Sequence, residues 1–133
     1  MMTDPIADML TRLRNAIRSS HETVDVPLSH FKVSILEVLK KNEFIKDFEI
    51  NKQARKIKVD LNYFYDGASR KIPVCSNLKR MSSPSRRVYV NVSDVQLLQK
   101  GVGTSVLSTS RGVMTADQAA SEKLGGEYVC IIW

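Results

Sequence analysis

The stretch "RKIKVDLNYF", residues 55–64, decides the class of fold. Its apolar and polar residues alternate, so an extended strand would place them on opposite faces. The polar face holds Lys56, Lys58, Asp60 and Asn62, and the apolar face holds Ile57, Val59, Leu61 and Tyr63. This is the clearest strand pattern in the 133-residue chain.

The residues before this strand predict two helices and two further strands. Asp4 can cap a first helix whose first position, Pro5, suits helix initiation, and an apolar stripe follows at Ile6, Met9, Leu10, Leu13 and Ile17. Ser29 can cap a second helix. "TVDVPL" (23–28) predicts an edge strand because Pro27 cannot donate to a ladder. "FIKDFEI" (44–50) predicts the strand that precedes the strand of residues 55–64. The order is helix, strand, helix, strand, strand.

The second half predicts mostly strands. "VYVNV" (88–92) would place Val88, Val90 and Val92 on one face, and "GTSVLSTS" (103–110) is a hydroxyl-rich strand. "EYVCIIW" (127–133) is apolar on both faces and predicts an inner strand. Between the first two, "SDVQLLQKG" (93–101) predicts a short helical turn capped by Ser93 or Asp94.

A last helix is expected to begin at Thr115. Gln118 completes a capping box, and Gly125 would end the helix in a left-handed conformation. The polar stretch "SNLKRMSSPSRR" (76–87) contains the best boundary. The sequence therefore predicts an α+β fold of two small, closely packed α+β domains. Residues 1–76 would be helix-strand-helix-strand-strand, and residues 77–133 mostly antiparallel strands with one helix.

The charge points to a polyanion. The net charge is +6, and residues 51–87 hold ten Lys and Arg against only Asp60 and Asp66. A localised cationic surface suggests nucleic acid first and an acidic membrane second, although a merely solvated surface is the alternative. No apolar run approaches the roughly 18 residues of a membrane span, and the N-terminus lacks a signal-peptide pattern. We therefore expect a cytoplasmic protein with no membrane partner.

The sequence contains little that indicates a catalytic site or a cofactor site. A serine nucleophile needs a base, but the two histidines are His21 and His30, each beside a helix end, and no G-x-S-x-G elbow is present. "GVGTSV" (101–106) lacks the pattern of a nucleotide-binding loop. Cys75 and Cys130 lack further ligands for zinc and are expected to be buried thiols. We expect no enzyme, metal, cofactor or small-molecule substrate.

The segment "STSRG" (108–112) could bind RNA. Ser and Thr hydroxyls donate and accept hydrogen bonds, which suits the shallow minor groove of duplex RNA with its 2′-hydroxyls. Gly112 would permit close approach, and Arg111 could reach a phosphate or stack on a base. The rival interpretation is that Ser108, Thr109 and Ser110 only pair with nearby backbone. The residues alone leave the two interpretations equal.

The chain resembles the family of ribosomal protein eight of the bacterial small subunit. "GTSVLSTSRGVMT" (103–115) and "KLGGEYVCIIW" (123–133) carry the resemblance, and "DPIADMLTRLRNA" (4–16), "VPLSHFK", "FIKDFEI" and "LKRMSSPSRRVYV" match in order. The resemblance implies a structural constituent of the ribosome. Such proteins bind the central domain of small-subunit ribosomal RNA as primary binders and help to assemble the platform. Neighbouring ribosomal proteins are implied partners, as is, in many bacteria, the messenger of the protein's own operon.

The resemblance also implies which residues bind RNA. The main set is Ser108, Thr109, Ser110, Arg111 and Gly112 with Thr104 and Ser105; a second set is Tyr89, Arg86, Arg87 and Glu127; weaker contacts are Arg14, Asn15, Ser29, Lys32, Arg55 and Lys56. Family members often carry lysine where this chain has Arg111, and "NVSDVQLLQKGVG" (91–103) departs from the usual linker. The alternative is a non-ribosomal RNA-binding regulatory module.

Overall fold

The computed structural model describes residues 4–67 and 70–133. Those residues form four helices and ten strands. In chain order they are α1 Pro5–Arg18, β1 Thr23–Pro27, α2 His30–Lys41, β2 Ile45–Asn51, β3 Lys56–Leu61, β4 Tyr63–Tyr65, β5 Lys71–Pro73, β6 Leu78–Arg80, β7 Tyr89–Val90, α3 Val92–Lys100, β8 Thr104–Thr109, β9 Gly112–Thr115, α4 Ala116–Ser121 and β10 Gly126–Ile132. The predicted α+β class is confirmed.

The two N-terminal helices begin where their caps predict. The Asp4 carboxylate accepts hydrogen bonds from the N–H groups of Ile6 and Ala7, and Pro5 is the first helical residue. Ser29 Oγ accepts from the N–H of Lys32 at 3.3 Å and caps α2. The predicted apolar stripe of α1 is buried, as are Ile35, Leu36 and Leu39 of α2. Both helices therefore cover the apolar face of the adjacent sheet.

That sheet has the antiparallel order β1-β3-β2, with β1 at an edge as Pro27 predicts. Ile57, Val59 and Leu61 are buried beneath the helices. The single strand predicted over residues 55–64 is two strands in the structure, because β3 ends at Leu61 and β4 begins at Tyr63. Tyr63 belongs to β4, which pairs with β5 in a separate two-stranded ribbon. The break falls at Asn62, whose side-chain amide donates to the carbonyl of Glu43 at 2.8 Å.

The C-terminal sheet has five strands in the order β6-β10-β8-β9, with β7 also pairing with β10. β10 therefore lies inside the sheet, as its apolar sequence predicts. The prediction of one strand over "VYVNV" is wrong, because only Tyr89 and Val90 form a strand, which pairs with β10, and Val92 begins α3. The reason is Asn91, whose side chain accepts from the N–H of Asp94 while the Asp94 carboxylate accepts from the N–H of Asn91.

Two further expectations about helix ends are corrected. The cap of α3 is Asn91 rather than Ser93 or Asp94, and α3 is a nine-residue helix rather than a short turn. Thr115 caps α4 as predicted, with its hydroxyl accepting from the N–H of Gln118, but within the described residues the Gln118 side chain does not bond back to Thr115, so the predicted capping box is only half formed. The helix stops at Ser121, before Gly125, and the left-handed position after it is taken by Lys123 with φ 56°.

The larger core cluster combines both parts of the chain. Leu78, Val106, Val129 and Ile132 join the buried residues of α1, α2 and β3. A smaller cluster under α3 and α4 includes Leu107, Met114 and Tyr128. Near the joint, Arg80 Nε donates to the carboxylate of Asp4 at 3.1 Å, and both side chains are mostly buried. The division after residue 76 remains a prediction.

Candidate nucleic-acid interface

The hydroxyl turn, which we define as Ser108 to Gly112, joins β8 to β9. Thr109 pairs with Gly112 across the hairpin, so Ser110 and Arg111 form the connection. Gly112 has φ +110°, a conformation that L side chains rarely adopt. Thr109 Oγ1 donates to the carbonyl of Gly112 at 2.8 Å and accepts from the N–H of Arg111 at 3.2 Å. The threonine hydroxyl therefore holds the turn closed.

The two serine hydroxyls of the turn are in a different situation. Ser110 is exposed and Ser108 is half-buried. Within the described residues, neither hydroxyl makes a hydrogen bond, whereas that of Thr109 makes two. Backbone pairing thus accounts for Thr109 alone. The hydroxyls of Ser108 and Ser110 are available to a ligand that can donate or accept.

Paired glycines allow the neighbouring strands to approach the turn. A Cβ on Gly126 would lie 2.4 Å from the carbonyl oxygen of Ser108, and one on Gly125 would lie 2.5 Å from that of Val90. Both distances are too short for any side chain. The sequence pattern predicts Gly125 at a helix end and predicts no separate role for Gly126. Adjacent glycines before an inner strand were the available signal.

A row of three side chains lies on one face of the C-terminal sheet. Glu127 of β10 pairs with Ser108 of β8 on one side and with Tyr89 of β7 on the other. Directly paired residues share a face, with Cβ atoms about 5 Å apart. Tyr89 is 69% exposed, so its ring is free to stack. The structure thus brings the predicted aromatic side chain within about 10 Å of a free serine hydroxyl.

Arginines flank this row. Arg87 Nη1 lies 3.2 Å from both carboxylate oxygens of Glu127. Arg86 is exposed and forms an isolated bridge with Ser83. Arg111 of the turn is paired with Glu122, with 3.5 Å between Nη1 and Oε1. The interface therefore contains cations, but two of them have carboxylate partners.

Ser105 and Thr104 lie away from the turn. Ser105 is buried, and its Oγ lies 2.9 Å from the hydroxyl of Tyr128. Burial raises the pKa of Tyr128 above its ordinary value, with the hydrogen bond to Ser105 opposing the shift. Thr104, at the start of β8, is separated from Thr109 by five residues, or about 16 Å of strand. The hydroxyl of Ser105 stabilises the core rather than facing solvent.

The structure spreads the remaining predicted residues over the N-terminal part. Arg14 of α1 is half-buried and donates to the carbonyl of Leu78, while Asn15 is exposed. Arg55 and Lys56 are exposed at one end of the β1-β3-β2 sheet, where Lys56 pairs with Pro27. The α2 cap residue Ser29 lies close to this sheet end, since the N–H of Leu28 donates to the carbonyl of Arg55.

Lys32 is buried although it was predicted to contact an RNA backbone. It is 3% exposed, and its ammonium donates to the carbonyl of Pro27 at 3.2 Å. Burial lowers the pKa of Lys32, in spite of the opposing effect of nearby Asp8. The ammonium fixes the end of β1 against α2. In the described structure its contacts are therefore internal.

The comparisons with known proteins agree on one family. A family model described as Ribosomal protein S8 matches residues 4–133. The chain belongs to the ribosomal protein S8 family. It is 47% identical to the small ribosomal subunit protein uS8 of Nitratidesulfovibrio vulgaris strain Miyazaki F, over 100% of both chains. It is 44% identical to the uS8 protein of Thermodesulfovibrio yellowstonii over 100% of both, and 46% identical to that of onion yellows phytoplasma over 100% and 99%.

Membership of the S8 family confirms the resemblance seen in the sequence and identifies a ribosomal protein rather than an enzyme. In the residues the structure describes, no helix is long and apolar enough to cross a membrane. In the same residues, His, Cys, Asp and Glu form no cluster of three or more that could hold a metal ion.

Proposed function

We propose that this member of the S8 family is a constituent of the small ribosomal subunit that binds its RNA with the hydroxyl turn. The carrying observation is that Ser108 and Ser110 keep free hydroxyls on a turn fixed by Thr109. Short hydroxyl side chains suit the wide, shallow minor groove of duplex RNA, where 2′-hydroxyls and base edges are accessible. The exposed ring of Tyr89 would border or stack on the same RNA.

Charge and shape contribute differently to RNA binding. Cations such as Arg86 and Arg55 attract any phosphate backbone, with an affinity that falls as salt rises. The hydroxyl turn contacts groups whose positions depend on the RNA fold. The RNA we propose is the central domain of small-subunit ribosomal RNA, with Arg14 and Asn15 of α1 as a second contact. In this role the protein would act in the cytoplasm, beside other ribosomal proteins, in assembly of the platform.

The family resemblance adds one possible second ligand. A messenger segment that copies the ribosomal site would bind the same surface, because the hydroxyl turn responds to local RNA shape. The protein would then repress its own operon. If the messenger binds the same surface, it should compete with the ribosomal fragment for one site.

Filter binding with a central-domain fragment tests the main proposal. Ser110→Ala should weaken binding about 2- to 13-fold, the equivalent of one net hydrogen bond of about 0.5–1.5 kcal/mol. Ser93→Ala is the matched control, because Ser93 is also exposed but lies in the first turn of α3. If the variant lacking the hydroxyls of Ser108, Thr109 and Ser110 bound the fragment as tightly as the control, the site assignment would be wrong.

A further inference from the structure

The carboxylate of Glu122 occupies an unfavourable position beside the hydroxyl turn. Glu122 follows the last residue of α4, and its N–H donates to the carbonyl of Gln118. An anion at a helix C-terminus is disfavoured by the helix dipole. Its Oε2 atom is buried and has no hydrogen-bond partner in the described structure. Its Oε1 atom lies 3.5 Å from Nη1 of Arg111. Within the described residues, Arg111 is therefore the ion-pair partner of this partly exposed carboxylate.

Arg111 is the cation that the turn presents to solvent. Its side chain is 67% exposed, and its backbone N–H is held by Thr109 Oγ1. A free guanidinium in this place would bind the phosphates of any RNA, since phosphate contacts carry no sequence information. The pairing with Glu122 restrains it. An RNA that offers only phosphates competes with Glu122 for the guanidinium of Arg111 and brings its own negative charge close to the partly buried carboxylate.

We propose that Glu122 is a specificity-determining residue that withholds Arg111 from indiscriminate phosphate contacts. The inference rests on the proposed function, in that the hydroxyl turn is taken to contact RNA. An RNA that engages the hydroxyls of Ser108 and Ser110 does not need to break the Arg111–Glu122 pair. An RNA without that shape can use Arg111 only by breaking the pair. The carboxylate therefore lowers binding to the wrong RNA more than to the right one.

The test compares binding to an unrelated RNA duplex between 50 and 200 mM salt for four proteins: wild type, Glu122→Gln, Arg111→Ala and the double variant. Each phosphate neutralised on a duplex changes the slope of log affinity against log salt by on the order of 0.9, which is about 3.5-fold over this range. We expect Glu122→Gln to gain that slope and to bind the duplex more tightly at low salt. The double variant should lose the gain.

Glu37→Gln controls for net charge. Glu37 is exposed on α2, and it forms no ion pair in the described structure. The Glu37→Gln variant should leave the slope of log affinity against log salt unchanged. Three results would overturn the proposal: no change in slope for Glu122→Gln, an equal change for Glu37→Gln, or a gain that persists when Arg111 is alanine. The last would mean that Glu122 merely repels RNA. Circular dichroism of each variant is the control for folding.

The central-domain fragment serves as the second arm. For this RNA the affinity of Glu122→Gln should change by much less than 3.5-fold, so that its preference over the duplex falls. If the wild type showed no preference for the fragment, the proposed function would fail. The duplex series would still decide whether Glu122 restrains Arg111, because a basic protein binds any RNA at low salt.

Discussion

Replacing Gly126 by alanine should displace the hydroxyl turn. The added Cβ would meet the carbonyl oxygen of Ser108 at 2.4 Å, its carbonyl carbon at 3.0 Å and the Cα of Thr109 at 3.2 Å. All three are backbone atoms, which cannot rotate away as a side chain can. A carbon and a carbonyl oxygen normally stay about 3.3 Å apart. The end of β8 must therefore move away from β10 by roughly 0.9 Å.

This displacement has two measurable costs. Overpacking of this kind typically destabilises a protein by about 1–3 kcal/mol. A shift of nearly 1 Å also takes a hydrogen bond of ordinary length beyond its working range. If the hydroxyls of Ser108 and Ser110 each lose about 0.5–1.5 kcal/mol, the affinity for the ribosomal fragment falls about 5- to 150-fold.

Urea unfolding followed by circular dichroism gives the first cost, and filter binding in native buffer gives the second. Gly67→Ala is the matched control, because a Cβ at Gly67 meets no atom within 4 Å and its φ is not positive. Equal stability of the two variants would refute the packing argument. A Gly126→Ala protein that was destabilised but bound the fragment normally would show that the glycine does not position the turn.

Three further outcomes are expected. Lys123→Gly should stabilise the protein by about 1 kcal/mol in urea unfolding, because Lys123 holds φ 56° and glycine adopts it without a Cβ penalty; a loss of stability would contradict this. Ser105→Ala should cost about 1–3 kcal/mol by leaving the buried Tyr128 hydroxyl unpaired, while fragment affinity measured by filter binding stays unchanged. Burial raises the pKa of Cys75 to about 11 and that of Cys130 to about 12 from the usual 9.0. Folding therefore favours the protonated thiols, and their contribution is complete below pH 9 and is lost as the pH rises from 9 to about 11 for Cys75 and to about 12 for Cys130. Unfolding free energy in reducing buffer should fall by roughly 1 kcal/mol per pH unit for each thiol within that range, and Cys130→Val should make the fall less steep.

Helix starts were predictable because capping is local chemistry. Asp4, Ser29 and Thr115 each bond to an N–H within three residues of the chain, and those bonds are present. Asn91 follows the same rule, and an acid three residues later was visible in the sequence. It was missed because the alternating valines of residues 88–92 indicated a strand. The capping box competes with the strand ladder there and ends it after Val90.

The availability of side chains in the candidate interface was not predictable. Ser105 and Ser110 have the same chemistry and lie on the same hairpin. Ser105 is buried against Tyr128 because it lies within β8, which pairs with β10, whereas Ser110 is exposed because β8 ends at Thr109 and Ser110 belongs to the turn. Likewise, nothing next to Lys32 in the sequence indicates that its ammonium would reach the carbonyl of Pro27. Residue type indicated the kind of contact, but pairing between distant segments determined which groups face solvent.

The position of β10 has a consequence for synthesis of the chain. It lies between β6 and β8 and also pairs with β7, yet it follows all three in sequence. While a nascent chain emerges, β6 and β7 therefore lack their pairing partner β10, and apolar residues such as Leu78 and Val106 are exposed to solvent. Such non-local pairings are slow to form and leave strand edges open to other chains. A new copy of this protein is most vulnerable to aggregation in the interval before residues 126–132 arrive.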